Sequence, residues 1–163
     1  MSRPRRLDDF DYLGPNLYSL TFCTRDRQRV FTSDDVVQAT LDQILLTARE
    51  QEMEILVYCF MPDHLHLLVE GRSQFADLKE FAKLAKQRSG WRYSRAHGKR
   101  LWQEGYYEHV LRDGEYPPEL IAYIVANPIR AGLVETPALY PYWGSERYER
   151  EEILEFVEAA RGV

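Results

Sequence analysis

Hydrophobic positions recur along this chain in two rhythms, and the order of those rhythms predicts the fold. Leu17 to Thr24 alternates apolar and polar residues and is rich in strand formers, which predicts a first strand. Val36, Val37, Leu41, Ile44, Leu45 and Ala48 then recur at helical spacing, behind Asp34 or Asp35 as a cap. Ile55 to Met61 is strongly apolar and reads as a second strand. Pro62-Asp63 makes a tight turn into a third, antiparallel strand from His64 to Glu70. Gln74 to about His97 forms a long basic helix with Phe75, Leu78, Phe81, Ala82 and Ala85 as its apolar stripe. Trp102 to Leu111, aromatic and extended, is a fourth strand. Pro117-Pro118 opens a short helix that Pro128 closes, because the residue before a proline is pushed out of helical geometry. A connector rich in proline and tyrosine and an acidic terminal helix complete the chain. The order β-α-β-β-α-β predicts an α+β fold, a ferredoxin-like sandwich of antiparallel sheet with helices on one face, plus C-terminal helices.

The 163 residues suit one domain, with 1–145 carrying the fold and 146–163 an acidic helix of the same unit. Apolar residues make up 45% of the chain, enough to fill an ordinary core. No window approaches the roughly 18 uninterrupted apolar residues of a membrane helix. The basic start, Met1 to Arg6, runs into Leu7-Asp8-Asp9-Phe10, not into an apolar signal core, so an intracellular, cytoplasmic protein is expected. Cys23 and Cys59 lack metal-knuckle spacing and sit in strand-like runs, which favours reduced, buried packing.

The net charge of −5 argues against a nucleic-acid binder until its distribution is considered. Between Lys79 and Arg100 stand Lys79, Lys83, Lys86, Arg88, Arg92, Arg95, Lys99 and Arg100 against the single acid Glu80. From Glu146 to Glu158 the sign reverses. A polarised molecule of this kind meets phosphates through its basic segment even when the sum is negative, although a solvated helix face has the same signature.

Candidate chemistry concentrates in Met61-Pro62-Asp63-His64-Leu65-His66-Leu67-Leu68-Val69-Glu70. On a strand, alternate residues share a face, so His64 and His66 project together while Leu65, Leu67 and Val69 point into the helix layer. Two neutral imidazoles are common ligands for a divalent metal, but a bare His-Leu-His equally describes two histidines on an open sheet face. In the helix from Glu119 to Asn127, Leu120, Ile121, Ile124 and Val125 form one apolar face, and Tyr123 and Asn127 lie one turn apart on its flank. Asn127 offers a carbonyl oxygen as a third ligand and Tyr123 a nucleophilic hydroxyl. Two imidazoles and an amide leave positions open for phosphate and water, which suits Mg²⁺ or Mn²⁺. With 11 tyrosines in the chain, the residues alone leave Tyr123 equally readable as a packed flank residue and Asn127 as a helix terminator.

Taken together, Tyr58-Cys59-Phe60-Met61-Pro62-Asp63-His64-Leu65-His66-Leu67-Leu68-Val69 and Tyr123-Ile124-Val125-Ala126-Asn127-Pro128-Ile129-Arg130-Ala131-Gly132-Leu133-Val134 closely resemble the REP-associated tyrosine transposases. These are relatives of the single-tyrosine HUH transposases (histidine, hydrophobic residue, histidine). The similarity runs from about Leu17 to Trp143. It implies that His64 and His66 are the HUH pair, Tyr123 the nucleophile and Asn127 the third metal ligand, on a ferredoxin-like core. It also implies a bacterial protein that cuts and rejoins single strands beside the hairpins of repetitive extragenic palindromes. Attack by the tyrosine leaves a 5′-phosphotyrosine link and a free 3′-hydroxyl. Mobile relatives work as dimers with shared active sites; the sequence leaves monomer and homodimer both open.

Aromatics interleaved with cations provide stacking and phosphate partners for unpaired bases. Lys83, Lys86, Arg88, Arg92, Trp91, Trp102, Tyr106 and Arg130 are therefore the expected DNA contacts. His97 and His109 are expected to be non-ligands. Two other classes remain: a nucleic-acid binder that keeps the fold without catalysis, and a small zinc protein using Cys59 with His64 and His66, for which no fourth ligand is apparent.

Overall fold

The structure is a computed structural model and describes residues 10–162. Five strands form one sheet: β1 Leu17–Cys23, β2 Met53–Met61, β3 His64–Gly71, β4 Tyr107–Val110 and β5 Trp143–Gly144. Their order is β4-β1-β3-β2-β5 and every pairing is antiparallel. This is the ferredoxin-like arrangement read from the sequence, extended by β5, which lies in the proline- and tyrosine-rich connector.

Alternation along β3 sets the two faces. Leu65, Leu67 and Val69 point into a core completed by Val37, Leu41, Ile44 and Ala48 of α1 (Asp34–Glu50) and by Leu78, Phe81, Ala82 and Ala85 of α2 (Leu78–His97). His64, His66 and Leu68 point the other way. There Leu68 joins a second core with Ile121, Ile124 and Val125 of α3 (Pro117–Val125) and Ile153 and Val157 of α5 (Arg150–Arg161). Each fully buried Leu, Ile, Val or Phe contributes about 1.5–3 kcal/mol, so both clusters help hold the sheet. The C-terminal helices thus cover part of the face that carries the histidines, and they stop short of the histidines themselves, which stay partly accessible.

A register shift between Ile55 and Val57 changes the parity of β2. Ile55 faces the first core, whereas Leu56 and Val57 both enter the second. From there Cys59 lies opposite His66 and Met61 opposite His64.

Several boundaries differ from the sequence reading. Helix α2 begins at Leu78, where the Asp77 side chain accepts from Glu80 N at 3.1 Å, so Phe75 lies outside the stripe and is 75% exposed. Helix α1 starts after Ser33, with Asp34 and Asp35 in its first turn, where they favour the helix dipole and do not cap. Strand β4 is only four residues long, and Trp102 makes an isolated bridge to Thr24 instead of joining it. Beyond Pro128 the chain continues as a short helix, α4 (Asn127–Arg130), set off from α3 at Ala126. The basic start, Met1 to Arg6, lies outside the described residues. Among the described residues no helix is long and apolar enough to cross a membrane.

Candidate active site

The hairpin of β2 and β3 brings the two histidines together, and the exit of β1 braces its turn. Val30 N and Phe31 N donate to Pro62 O at 2.8 and 3.0 Å, and Thr24 donates to Asp63 O from both its N–H and its hydroxyl, each at 3.0 Å. With the turn fixed, the His64 and His66 rings stand perpendicular, their centroids 4.7 Å apart and their Nε2 atoms 3.1 Å apart. Each Nδ1 is occupied from behind. Asp63 Oδ1 lies 2.7 Å from His64 Nδ1, and Thr21 Oγ1, on the neighbouring strand, lies 3.1 Å from His66 Nδ1.

Asp63 is itself held. Arg27 Nε donates to Asp63 Oδ2 at 2.9 Å, and Arg27 Nη1 lies 3.4 Å from Cys23 Sγ. Arg27 reaches this position from a turn in which Asp26 and Arg27 have φ of 54° and 52°. Left-handed backbone costs a non-glycine residue about 1–2 kcal/mol, so the turn is strained where it serves the histidine pair.

Burial decides the protonation of the pair. It pushes His66 down to about 3, with the charges of His64, Arg130 and Arg27 acting in the same direction. Burial also lowers His64, against the opposing pull of Asp63. Burial raises the Asp63 carboxyl, but hydrogen bonds from His64 and Arg27 outweigh it and hold that group below its usual range. Near neutral pH the two imidazoles are uncharged and the carboxylate is ionised, the state in which imidazole nitrogen binds a cation.

The other two candidate residues, Tyr123 and Asn127, stand on α3 and α4. Pro117 and Pro118 open α3, and Ile121, Ile124 and Val125 bury its inner side, which leaves Tyr123 on the flank, 61% exposed. Arg130 fixes the corner between the helices. Its Nη2 donates to Tyr123 O and to Asn127 Oδ1, each at 2.7 Å, and its guanidinium lies 3.9 Å from the Tyr123 ring centroid. Ile121, Ile124 and Val125 pack in one cluster with Cys59, Met61 and Leu68, which puts α3 on the same face of the sheet as the histidines. Asn127 Nδ2 is buried with no hydrogen-bond partner among the described residues.

A divalent cation fits these groups. Two uncharged Nε2 atoms converge with both Nδ1 atoms engaged behind them, and Asn127 offers an amide oxygen that also accepts from Arg130. A closed zinc site with Cys59 does not fit. Burial pushes the Cys59 thiol up to about 12, far from the thiolate that zinc takes, and among the described residues no group of three His, Cys, Asp or Glu could hold a metal.

Residues 16–127, which span the histidine pair, Tyr123 and Asn127, match the family described as "Transposase IS200 like". The chain belongs to the IS200-like transposase family. A Haemophilus influenzae protein provisionally named a REP-associated tyrosine transposase is 27% identical over 169 residues, covering 94% of this chain and 90% of its own. The REP-associated tyrosine transposase of Escherichia coli is 27% identical over 103 residues, covering 61% of this chain and 58% of its own. A solved REP-associated tyrosine transposase bound to a REP hairpin shares the fold at a TM-score of 0.71 and 23% identity, covering 88% of this chain and 82% of that one.

In this IS200-like transposase several expected DNA contacts are committed to the fold. Trp102 is 6% exposed, donates from Nε1 to Ser89 Oγ at 3.0 Å and packs against Phe22 and Phe31, so it is no stacking platform for bases. Tyr106 is half-buried edge-on to Phe22. Lys86 donates to the carbonyls of Gln103 and Gly105, and Arg88 pairs with Glu50 at 2.5 Å across the α1–α2 seam. Lys83, Trp91 and Arg92 are exposed, with Arg95 5.3 Å from the Trp91 ring centroid, but they lie on α2, across the sheet from His64 and His66. Arg130 alone of the expected contacts adjoins Tyr123. His97 sits against Tyr93, and His109 pairs with Glu115 at 3.0 Å. The braces Thr21, Asp63 and Arg27 carry no motif of their own in the sequence. Asp63, beside His64, reads in the sequence only as a turn residue.

Proposed function

We propose that this transposase-family protein is a metal-dependent, sequence-specific single-stranded DNA endonuclease and strand transferase acting on hairpin-forming palindromic repeats. The observation that carries the reading is the 3.1 Å convergence of His64 and His66 Nε2 with both Nδ1 atoms engaged behind them. The known REP-hairpin complex of a structural relative supports a hairpin as substrate. His64 and His66, with Asn127 Oδ1, would hold Mg²⁺ or Mn²⁺. That ion supplies charge withdrawal from the scissile phosphate.

Tyr123 does the covalent work. Its hydroxyl oxygen attacks phosphorus, the bond to the 3′ oxygen breaks, the phenolic proton passes to solvent, and the departing oxygen takes up a proton. A 5′-phosphotyrosine and a 3′-hydroxyl result. Rejoining is the reverse attack, so no nucleotide cofactor is consumed. Arg130 orients the Tyr123 ring from its face and sets a positive charge beside the oxygens where negative charge builds. The exposure of Tyr123 gives a strand room to approach, and Lys83, Trp91 and Arg92 would take the part of the hairpin that reaches the opposite face.

The test is a cleavage assay with a palindromic hairpin oligonucleotide and the fully paired duplex of the same sequence, each with Mg²⁺ or Mn²⁺ and with chelator. The proposal expects cutting of the hairpin only, and only with metal. Equal cutting of the duplex, or undiminished cutting in chelator, contradicts it.

A further inference from the structure

We infer that His64 and His66 carry opposite tautomers when no metal is bound, and that the Thr21 hydroxyl is the positioning group that lets His66 reverse its own. The inference rests on the metal reading of the site and goes beyond it, to a residue outside the motif.

Proton counting fixes the arrangement. Asp63 Oδ1 is 2.7 Å from His64 Nδ1, and a carboxylate only accepts, so that Nδ1 carries hydrogen. The uncharged ring then has its lone pair at Nε2. His66 Nε2 lies 3.1 Å from that nitrogen, so the hydrogen between the rings belongs to His66. Uncharged His66 in turn has its lone pair at Nδ1, which faces Thr21 Oγ1 at 3.1 Å, and the hydroxyl donates. The chain of donors runs one way: Thr21 to His66, His66 to His64, His64 to Asp63, with Arg27 donating to Asp63 from behind. Both rings are taken as uncharged, the state in which an imidazole serves as a metal ligand.

In that arrangement His64 already offers a lone pair toward the space between the rings, and His66 offers an N–H. Two lone pairs appear only when His66 releases its Nε2 proton to water and takes another from water at Nδ1, with no net change. The new Nδ1–H then needs an acceptor. Thr21 supplies it by rotating its hydroxyl from donor to acceptor, which a hydroxyl does and neither a carboxylate nor a hydrocarbon does. The two histidines are therefore held unequally. Asp63 presets His64, whereas Thr21 leaves His66 reversible, since the partner behind a ligand histidine fixes which nitrogen is free.

The experiment uses the full chain labelled with ¹⁵N in histidine. Imidazole nitrogen shifts are recorded in chelator and then with Mg²⁺, and Mn²⁺ affinity is measured by electron paramagnetic resonance for the wild type, Thr21→Val and Thr21→Ser. The expected result in chelator is hydrogen on Nδ1 of His64 and on Nε2 of His66. With Mg²⁺, His66 changes to the Nδ1–H form and His64 keeps its own. Thr21→Val, which leaves a buried N–H without an acceptor, should weaken Mn²⁺ binding roughly ten-fold, and Thr21→Ser should restore it to within about three-fold. Identical tautomers in chelator, or metal binding with His66 unchanged, overturns the inference and leaves the proposed function standing. Failure of both ions to bind the wild type overturns the proposed function and the switch together. Should Thr21→Val not fold, the wild-type spectra and the Thr21→Ser affinity still decide between these outcomes.

Discussion

Arg130 lays its guanidinium 3.9 Å from the centre of the Tyr123 ring while donating to the Tyr123 carbonyl oxygen at 2.7 Å. One side chain thus fixes both the ring and the backbone of the proposed nucleophile, seven residues away, and joins it to Asn127. Arg130→Ala should lower the single-turnover cleavage rate on the order of a hundred-fold, the scale seen when a donor to developing charge is removed. Stability should fall by about 1 kcal/mol, the scale of the hydrogen bonds lost at the corner between the helices. Arg130→Lys keeps the charge without the planar fork and should recover only part of the rate. An unchanged rate in Arg130→Ala contradicts the role.

Trp102 belongs to the core, and its substitution should register as stability. Trp102→Ala should cost about 3–5 kcal/mol in urea unfolding. Ser89→Ala should cost about 1–3 kcal/mol by leaving the indole N–H unmet. Hairpin affinity per folded molecule should stay within error of wild type. A selective loss of affinity with intact stability would return Trp102 to the DNA surface.

Charge reversal on α2 separates its cations. Lys83→Glu with Arg92→Glu should weaken hairpin binding and lower the salt slope by roughly 0.7–0.9 for each lost phosphate contact, with the rate at saturating DNA unchanged, since both residues lie across the sheet from the histidines. Lys86→Glu should instead destabilise the fold, because it opposes the Gln103 and Gly105 carbonyls. A salt slope unaffected by the first pair assigns that face to solvent.

The architecture was legible because local period and global fold agree. Leu65, Leu67 and Val69 alternate against His64 and His66, and α2 keeps its stripe from Leu78 to Ala85. What escaped the sequence depends on partners distant along the chain. The bulge at Leu56 hides in a continuous apolar run, where parity leaves no trace. Trp102, placed among cations, looks like a stacking surface until Ser89 and Phe31 enclose it. Thr21 looks like an ordinary polar position of an alternating strand, and only its register opposite His66 gives it a role.

Protonation of the pair sets an acid limit on stability. In chelator the folded chain keeps His66 uncharged down to about 3, whereas an unfolded imidazole takes its proton near 6.5. Between those values the unfolded state binds more protons, so stability falls as pH is lowered through that window and is flat in this contribution above it. His64, also lowered, acts in the same sense, and Asp63 adds a loss at the acid end. Urea unfolding from pH 8 to 4 should give a steeper slope for wild type than for His66→Asn. Parallel profiles contradict the burial argument.

A covalent bond between Tyr123 and DNA can be detected directly. Wild-type protein, Mn²⁺ and a labelled hairpin are mixed, denatured and run on a gel beside Tyr123→Phe, Tyr106→Phe and Tyr107→Phe. Tyr123→Phe removes one exposed hydroxyl and keeps the ring beneath Arg130, so folding and hairpin binding should be retained. The covalent role of Tyr123 requires a denaturation-resistant species with protein on the 5′ end of the downstream fragment in every lane except Tyr123→Phe. An adduct that persists in Tyr123→Phe, or cleavage by the wild type with no adduct at all, contradicts it.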